Sequence, residues 1–443
     1  MNRPPSLLIA PLLVLCLALA SGRAAANLPT IAPFLPALIA AETETAGTDS
    51  MVIQHFRSAD YDQDEDRPHE REEWADRPLS EDMLTDVEPW HAVERGHQDL
   101  DFLGDYNRVD PFRLGARWRY HDPDAWTPGL GLRYEYAFGR SRALYGAQIE
   151  QPIAPHGRLA LGARLSRRTD HNDTQQMGDF ENSLTLLFTR ADLRDYFERE
   201  GTAAYLVWRV PDFSTMSAQW RTDDYRTLQT RDDANSWIHN NRPLRENPAI
   251  EDGKSDSWML RMERPISVRW RPRAGLYHWI ELERAGHGMG GDFEFTRGLA
   301  DLRSVLRVSP ATTLTVRAVG GNTWDGHLPT QRQFTMGGPD GLRAHPVDTF
   351  RGDRMALAQA EYDVALWWHA RKFETGLHVL AFLDTGRAWN GTGSSWDVAR
   401  QRFETDGGVG VATSEDALRI YFAKDLHDLN RDFVLSVRFQ RPF

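Results

Sequence analysis

The chain has a single cysteine, Cys16, and only three lysines, Lys254, Lys372 and Lys424, in 443 residues. Cys16 lies inside the apolar N-terminal stretch Leu7 to Ala20, so removing that stretch would leave no disulfide and no thiolate metal site. Leu15 precedes it, where a lipoprotein signal carries a small residue, which argues against lipidation. The net charge is −12, so a basic nucleic-acid-binding face is not expected. Long apolar runs are also missing. After residue 26 nothing approaches the ~20 apolar residues of a spanning helix, and the mean hydropathy is −0.55. A helical membrane protein is thereby excluded. A transmembrane barrel is not, because apolar-out and polar-in alternation averages to a hydrophilic score. No Gly-x-Ser-x-Gly occurs and no Ser–His–carboxylate trio stands out, so no catalytic residues are assigned and no enzyme is expected. His91, His97 and the acidic run around Asp62 match no ligand spacing, so neither a metal nor a cofactor is expected.

What is present falls into three parts. Arg3, the apolar stretch and Ala24-Ala25-Ala26 read as a secretory signal over residues 1–26. Residues 27–105 form an acidic segment, with 19 acidic residues against five arginines between Glu42 and Asp101. No helical or strand period persists there, which predicts disorder or a place in a barrel mouth. From about 106 to 443 the texture alternates. Leu130, Leu132 and Tyr134 oppose Arg133 and Glu135, and Leu159, Leu161, Ala163 and Leu165 oppose Arg164 and Arg168. Period two is a strand signal. Length, aromatic residues near strand ends and charges mid-strand on the other face favour a membrane barrel over a sandwich.

Sixteen segments are expected to be strands: 110–121, 128–139, 142–153, 157–168, 182–191, 201–211, 214–223, 255–266, 275–286, 291–307, 311–321, 351–366, 373–384, 403–413, 417–424 and 431–442. An even number suits a closed antiparallel transmembrane barrel in outer-membrane lipid. Short connections would face the periplasm, and long ones such as 224–254 and 322–350 the outside. On 373–384 the parity puts Glu374, His378 and Asp384 inward, with Leu380 and Phe382 as exceptions. The adjacent strand would turn Gln359, Glu361 and Asp363 inward. The lumen face is expected to be polar throughout.

Particular motifs add a resemblance. Phe334-Thr335-Met336-Gly337-Gly338-Pro339-Asp340-Gly341-Leu342-Arg343 carries a Gly-Gly pair, three residues, an aliphatic residue and then Arg. Downstream stand Ala360-Glu361-Tyr362, Phe382-Leu383-Asp384-Thr385-Gly386, Gly407-Gly408-Val409-Gly410-Val411 and Leu418 to Ala423. In this order they resemble the BamA/TamA and two-partner-secretion (haemolysin activator-like) superfamily of outer-membrane barrels, bacterial surface antigens included. Upstream, Asp195-Tyr196-Phe197 before Gly201 fits more loosely. The terminal Phe443 resembles the signal that delivers such barrels for assembly. Ala344 and His345 depart from the Gly and aromatic residue that usually follow the motif's Arg. Residues 27–105 also lack the strand–helix–helix–strand–strand pattern of the family's periplasmic POTRA modules.

The resemblance implies that the long loop carrying Gly337, Gly338, Leu342 and Arg343 folds into the lumen and that Arg343 anchors it there. An Arg withdrawn from water needs a carboxylate. Asp384, inward by parity and followed by Gly386, is the first expected partner, and Glu361 the second. The implied role is outer-membrane protein assembly or polypeptide translocation, with a secreted or membrane-bound client as partner. A passive pore or structural barrel is the alternative, and an outer-membrane enzyme a more distant one. The Arg351-Gly352-Asp353 tripeptide is ascribed to the abundance of arginine.

Overall fold

Strands whose two faces differ this strongly need a different medium on each side, and a computed structural model supplies it with one sheet. It describes residues 97–438, apart from 122–125, 173–176, 211–213, 239–242, 265–273, 310, 367–376, 392–395 and 414–417. The signal segment, the acidic segment up to 96, Glu374 and Phe443 lie outside the described residues.

The strands are β1 (His97–Asp105), β2 (Arg113–His121), β3 (Gly129–Ala137), β4 (Arg142–Pro152) and β5 (Leu159–His171). A helix, α1 (Asp179–Thr189), precedes β6 (Tyr196–Val210), β7 (Ser214–Thr227), β8 (Gly253–Arg264), β9 (Gly275–Ala285), β10 (Phe295–Ser309) and β11 (Thr312–Gly326). Two short strands follow, β12 (Phe334–Met336) and β13 (Phe350–Gly352). The chain continues through β14 (Arg354–Ala365), β15 (Leu377–Trp389), β16 (Glu404–Thr413), β17 (Arg419–Asp425) and β18 (Val434–Arg438). All but β12 and β13 form a single sixteen-stranded antiparallel sheet in chain order. β12 and β13 pair only with each other, inside the connection between β11 and β14. Among the described residues every ladder of the large sheet joins strands that follow one another within it, leaving β1 and β18 as its ends.

The period-two pattern decides the faces. Leu132 is 54% exposed while Glu135, on the other face of β3, is 2% exposed. Trp208, Trp258, Leu260 and Leu282 likewise lie open on the outer face. The charged residues are buried on the inner face and paired across strands, as in Arg221–Glu283 at 2.6 Å and Arg317–Asp301 at 2.8 Å. Apolar groups outside and charges within is the arrangement that lipid around a wet lumen demands.

Sixteen is therefore the right number, reached from a different set of strands. Segment 182–191 is not a strand but lies mostly within α1. Over so short a run, Leu184, Leu186 and Phe188 satisfy period two as well as a helix does. Asp179 and Glu181 in its first turn complement the helix dipole, and Arg190 ends it in the left-handed region at φ 55°. The compensating strand is β1, which falls within the acidic segment 27–105 expected to lack regular structure. Its acids share one face: Asp101 and Asp99 meet Arg117 and Arg119 of β2 at 2.7 and 2.6 Å, while Leu100 and Phe102 face outward. Averaging the composition over the segment concealed that alternation.

The expectation of a uniformly polar lumen also needs correcting. Trp279, Leu299, Val319, Met355 and Leu357 point inward from β9, β10, β11 and β14. They pack against Leu328, Phe334, Met336 and Leu342 of the β11–β14 connection. The lumen face is apolar where this connection covers it.

Candidate functional site

The β11–β14 connection is shaped by its glycines. Gly337 and Gly338 have φ of 126° and 75°, in the region only glycine occupies freely. A Cβ on Gly337 would also lie 2.1 Å from the Pro346 carbonyl oxygen. The Gly338 N–H donates to His345 O (2.9 Å) and the Gly341 N–H to Gly338 O (3.1 Å), closing a tight turn between β12 and β13. The turn presents Leu342 to the apolar cluster and Arg343 to the wall beyond it; both are buried.

Arg343 meets both expected carboxylates. Its Nε and Nη2 donate to Asp384 Oδ2 and Oδ1 at 2.7 and 2.8 Å, and its Nη1 donates to Glu361 Oε2 at 3.0 Å. The guanidinium carbon lies 3.7 Å from the Phe382 ring centre and 4.7 Å from that of Tyr421. These contacts account for Phe382 on the inward face, where the alternation alone made it an exception. Leu380 joins Phe382, Tyr421 and Ala344 in an apolar cluster beside it. Burial opposes the charge on Arg343, but the adjacent Asp384 and then Glu361 outweigh it and raise the pKa above the ordinary value.

Neighbouring groups hold the two carboxylates in place. Gln359 Nε2 donates to Asp384 Oδ1 (3.1 Å) and to Gly341 O (2.9 Å). Arg419 Nη1 donates to Glu361 Oε1 at 2.5 Å and the Tyr421 hydroxyl to Oε2 at 3.0 Å. Gly386 makes room for the loop, since a Cβ there would stand 2.7 Å from Met336 Sδ. Sequence reasoning missed Arg419, Tyr421 and Gln359 as members of this network. The available signal was their inward parity opposite Asp384 and Glu361.

The base of the loop is tied separately. Asp348 accepts from Arg245 Nη1 at 3.2 Å, and the same guanidinium reaches Asp195 at 2.7 Å. Arg351 also pairs with Asp195, at 2.8 Å, so the Arg-Gly-Asp tripeptide is engaged within the molecule. Burial, then the proximity of Asp195, push the Asp348 carboxyl up to about 6.

A third set of contacts links the ends of the sheet. On α1, Ser183 Oγ donates to Asp105 Oδ1 of β1 at 2.7 Å, and Asp179 lies 3.4 Å from Arg113 of β2. On the same helix, Glu181 accepts from Arg438 Nε of β18 at 2.9 Å. Arg438 continues to Asp340 (2.9 Å) and to Pro339 O (3.0 Å) in the inward loop. Side chains of one helix thus touch the first strand, the last strand and, through Arg438, the Gly-Gly turn.

Comparison with known proteins gives this geometry a context. A sequence profile described as the Omp85 superfamily domain matches residues 157–439. No curated protein matches. Among solved structures, BamA from Haemophilus ducreyi lacking POTRA domains 1-3 is similar, with TM-score 0.52 and 12% identity over 78% of this chain and 71% of that chain. CdiB from Escherichia coli gives TM-score 0.41 and 11% identity over 78% of this chain, and CdiB from Acinetobacter baumannii 0.41 and 14% over 77%. The chain covers 62% and 59% of those two proteins.

Proposed function

The chain belongs to the Omp85 superfamily of the bacterial outer membrane, and from that membership we propose that it inserts polypeptides into the outer membrane or passes them across it. The observation that carries this reading is the inward loop, held by a fully buried Arg343 between Asp384 and Glu361. An ordered loop packed into the lumen narrows the open path on which a plain conduit depends. A barrel that handles a chain needs an internal element of fixed position against which that chain can move. The client is a secreted or membrane-embedded polypeptide.

The alternative of a passive pore is disfavoured by the apolar packing between the loop and β9, β10, β11 and β14, which occupies lumen that a channel would leave wet. The test is affinity capture of the crosslinked barrel from intact outer membranes. Recovery of one defined client, depleted from the envelope or the medium when the barrel is removed, supports the proposal. Large, steady single-channel conductance with no crosslinked client would establish the pore instead. Arg343→Lys keeps the charge but cannot reproduce the two parallel hydrogen bonds to Asp384. It is expected to insert normally and to lose client yield.

A further inference from the structure

Two residues beyond Arg343, the motif departs from the family pattern, with His345 in place of an aromatic residue. His345 is buried, with its imidazole between two buried carboxylates. Its Nδ1 lies 3.1 Å from Asp406 Oδ1 and its Nε2 3.7 Å from Asp425 Oδ2. The three residues come from the loop, the start of β16 and the end of β17. One donor atom from each lies within 4.8 Å of the others.

Each carboxylate has one oxygen fixed by main-chain donors; Asp406 presents both oxygens to the imidazole and Asp425 presents Oδ2. Asp406 Oδ2 accepts from the Ala344 N–H at 2.6 Å. Asp425 Oδ1 accepts from the N–H groups of His427 and Asp428 at 2.9 and 3.2 Å. Such outer hydrogen bonds orient carboxylates at metal centres. His345 Nδ1 makes its hydrogen bond to Asp406 Oδ2 at 3.3 Å, so the fully buried Oδ1, 3.1 Å from the same nitrogen, has an ion-pair contact and no hydrogen bond of its own. A buried carboxylate oxygen left without a donor is costly, and a cation would satisfy it. Arg431 reaches Asp425 Oδ2 at 3.1 Å, but it is more than half exposed and can withdraw into water.

We propose that His345, Asp406 and Asp425 form a binding site for a divalent transition metal of the zinc type, which fastens the inward loop to β16 and β17. One imidazole nitrogen and two carboxylate oxygens are the donor set that such ions accept. The two buried negative charges match the charge of the ion. Zinc requires metal–ligand distances of ~2.0–2.2 Å, so on binding His345 turns one nitrogen toward both carboxylates and the three donors close in on the ion. On binding, the imidazole gives up its proton to solvent and no other covalent change occurs. A second, more exposed group, Glu404, Asp425 and His427, shares Asp425. It can supply the fourth ligand or pass the ion inward. Residues 345, 406 and 425 are too far apart in sequence for any spacing rule to join them.

The test uses the full-length barrel in detergent, stripped with a chelator and then titrated with Zn2+ by calorimetry and with Co2+ by visible absorption. Resistance of the loop to trypsin is followed in parallel. One equivalent is expected to bind at micromolar metal or below, with a tetrahedral-type Co2+ spectrum and slower loop cleavage that the chelator reverses. His345→Phe restores the aromatic residue of the family pattern and should still fold, as judged by heat-modifiable migration on gels. It and Asp406→Asn should each weaken binding at least tenfold, whereas His427→Ala should weaken it less. Absence of stoichiometric binding overturns the proposal. So does binding that survives His345→Phe but disappears in His427→Ala, which would place the ion at the outer group alone.

Discussion

The outer and inner faces of this sheet are built from the same strands by opposite rules. On the outer face of β8, Trp258 and Leu260 stand open; on its inner face Arg261 pairs with Glu281 at 2.8 Å, both buried. The outer residues need no particular partner, since lipid accepts any apolar side chain. The inner ones are specific in every contact, because a charge removed from water must find its counter-charge. Tolerance to substitution should therefore differ between the faces in kind as well as degree. Outside, what matters is the chemical class of a residue; inside, it is identity and geometry.

The largest expected effect is on the inner face. Arg343→Ala takes from the buried Asp384 its cation and leaves Glu361 with Arg419 and Tyr421, at a cost of about 3–5 kcal/mol for a broken buried pair. The urea midpoint of the barrel in lipid should fall accordingly, and Asp384→Ala should mirror it. If Arg343→Ala proved no worse than a conservative outer-face change, the two faces would not differ as described.

On the outer face only a change of class should register. Leu260→Arg should cost about 2–4 kcal/mol if the position lies near the bilayer midplane. Leu260→Phe should be nearly silent in the same titration. A comparable loss from both substitutions would mean that this face is packed against protein.

A smaller effect is expected from Glu181→Ala on α1. Arg438 keeps Asp340 and the Pro339 carbonyl, so the loss is that of one charged hydrogen bond, about 1.5–3 kcal/mol at most. A cysteine pair spanning β1 and β18 should crosslink with an altered yield in that variant, which reports on the junction rather than on global stability.

The smallest effect is a matter of pH. The Asp348 carboxyl stands raised to about 6, from burial and then the neighbouring Asp195. A carboxyl raised on folding favours the folded state while it is protonated. Its contribution is complete below the ordinary value of 3.8 and is lost as the pH rises through 6. The protection of the amides around residues 346–351, with the intrinsic base-catalysed rate at each pH divided out, should therefore be higher at pH 5 than at pH 7.5. Asp348→Asn, which stays neutral, should remove that difference.

How far the sequence could be read follows from the same contrast. Period two was plain wherever the outer residues were apolar, and the parity of Asp384 and Glu361 followed from it directly. β1 escaped notice because its inward acids merged with an acidic neighbourhood. α1 was mistaken because three alternating apolar residues fit either period. The loop motif pointed to Arg343. It did not point to Phe382 and Tyr421 beneath the guanidinium, since an aromatic ring on a lumen face breaks the rule by which lumen faces are found. Asp195 and Arg245, which hold the base of the loop, come from two connections far away in sequence. Only the folded chain brings them together.

The helix that reaches both ends of the sheet has a consequence for the order of assembly. Each strand ladder links chain neighbours, so most of the wall can form progressively from local contacts, which close fast. Glu181 and Arg438 are 257 residues apart, and their bond cannot exist until the final strand is in place. Because Arg438 also holds Asp340 and Pro339, the last strand to arrive is the one that secures the Gly-Gly turn. A chain truncated before residue 438 could build nearly all of its wall and still lack this bond. Resistance of the turn to protease would then mark a finished molecule, as distinct from one merely inserted.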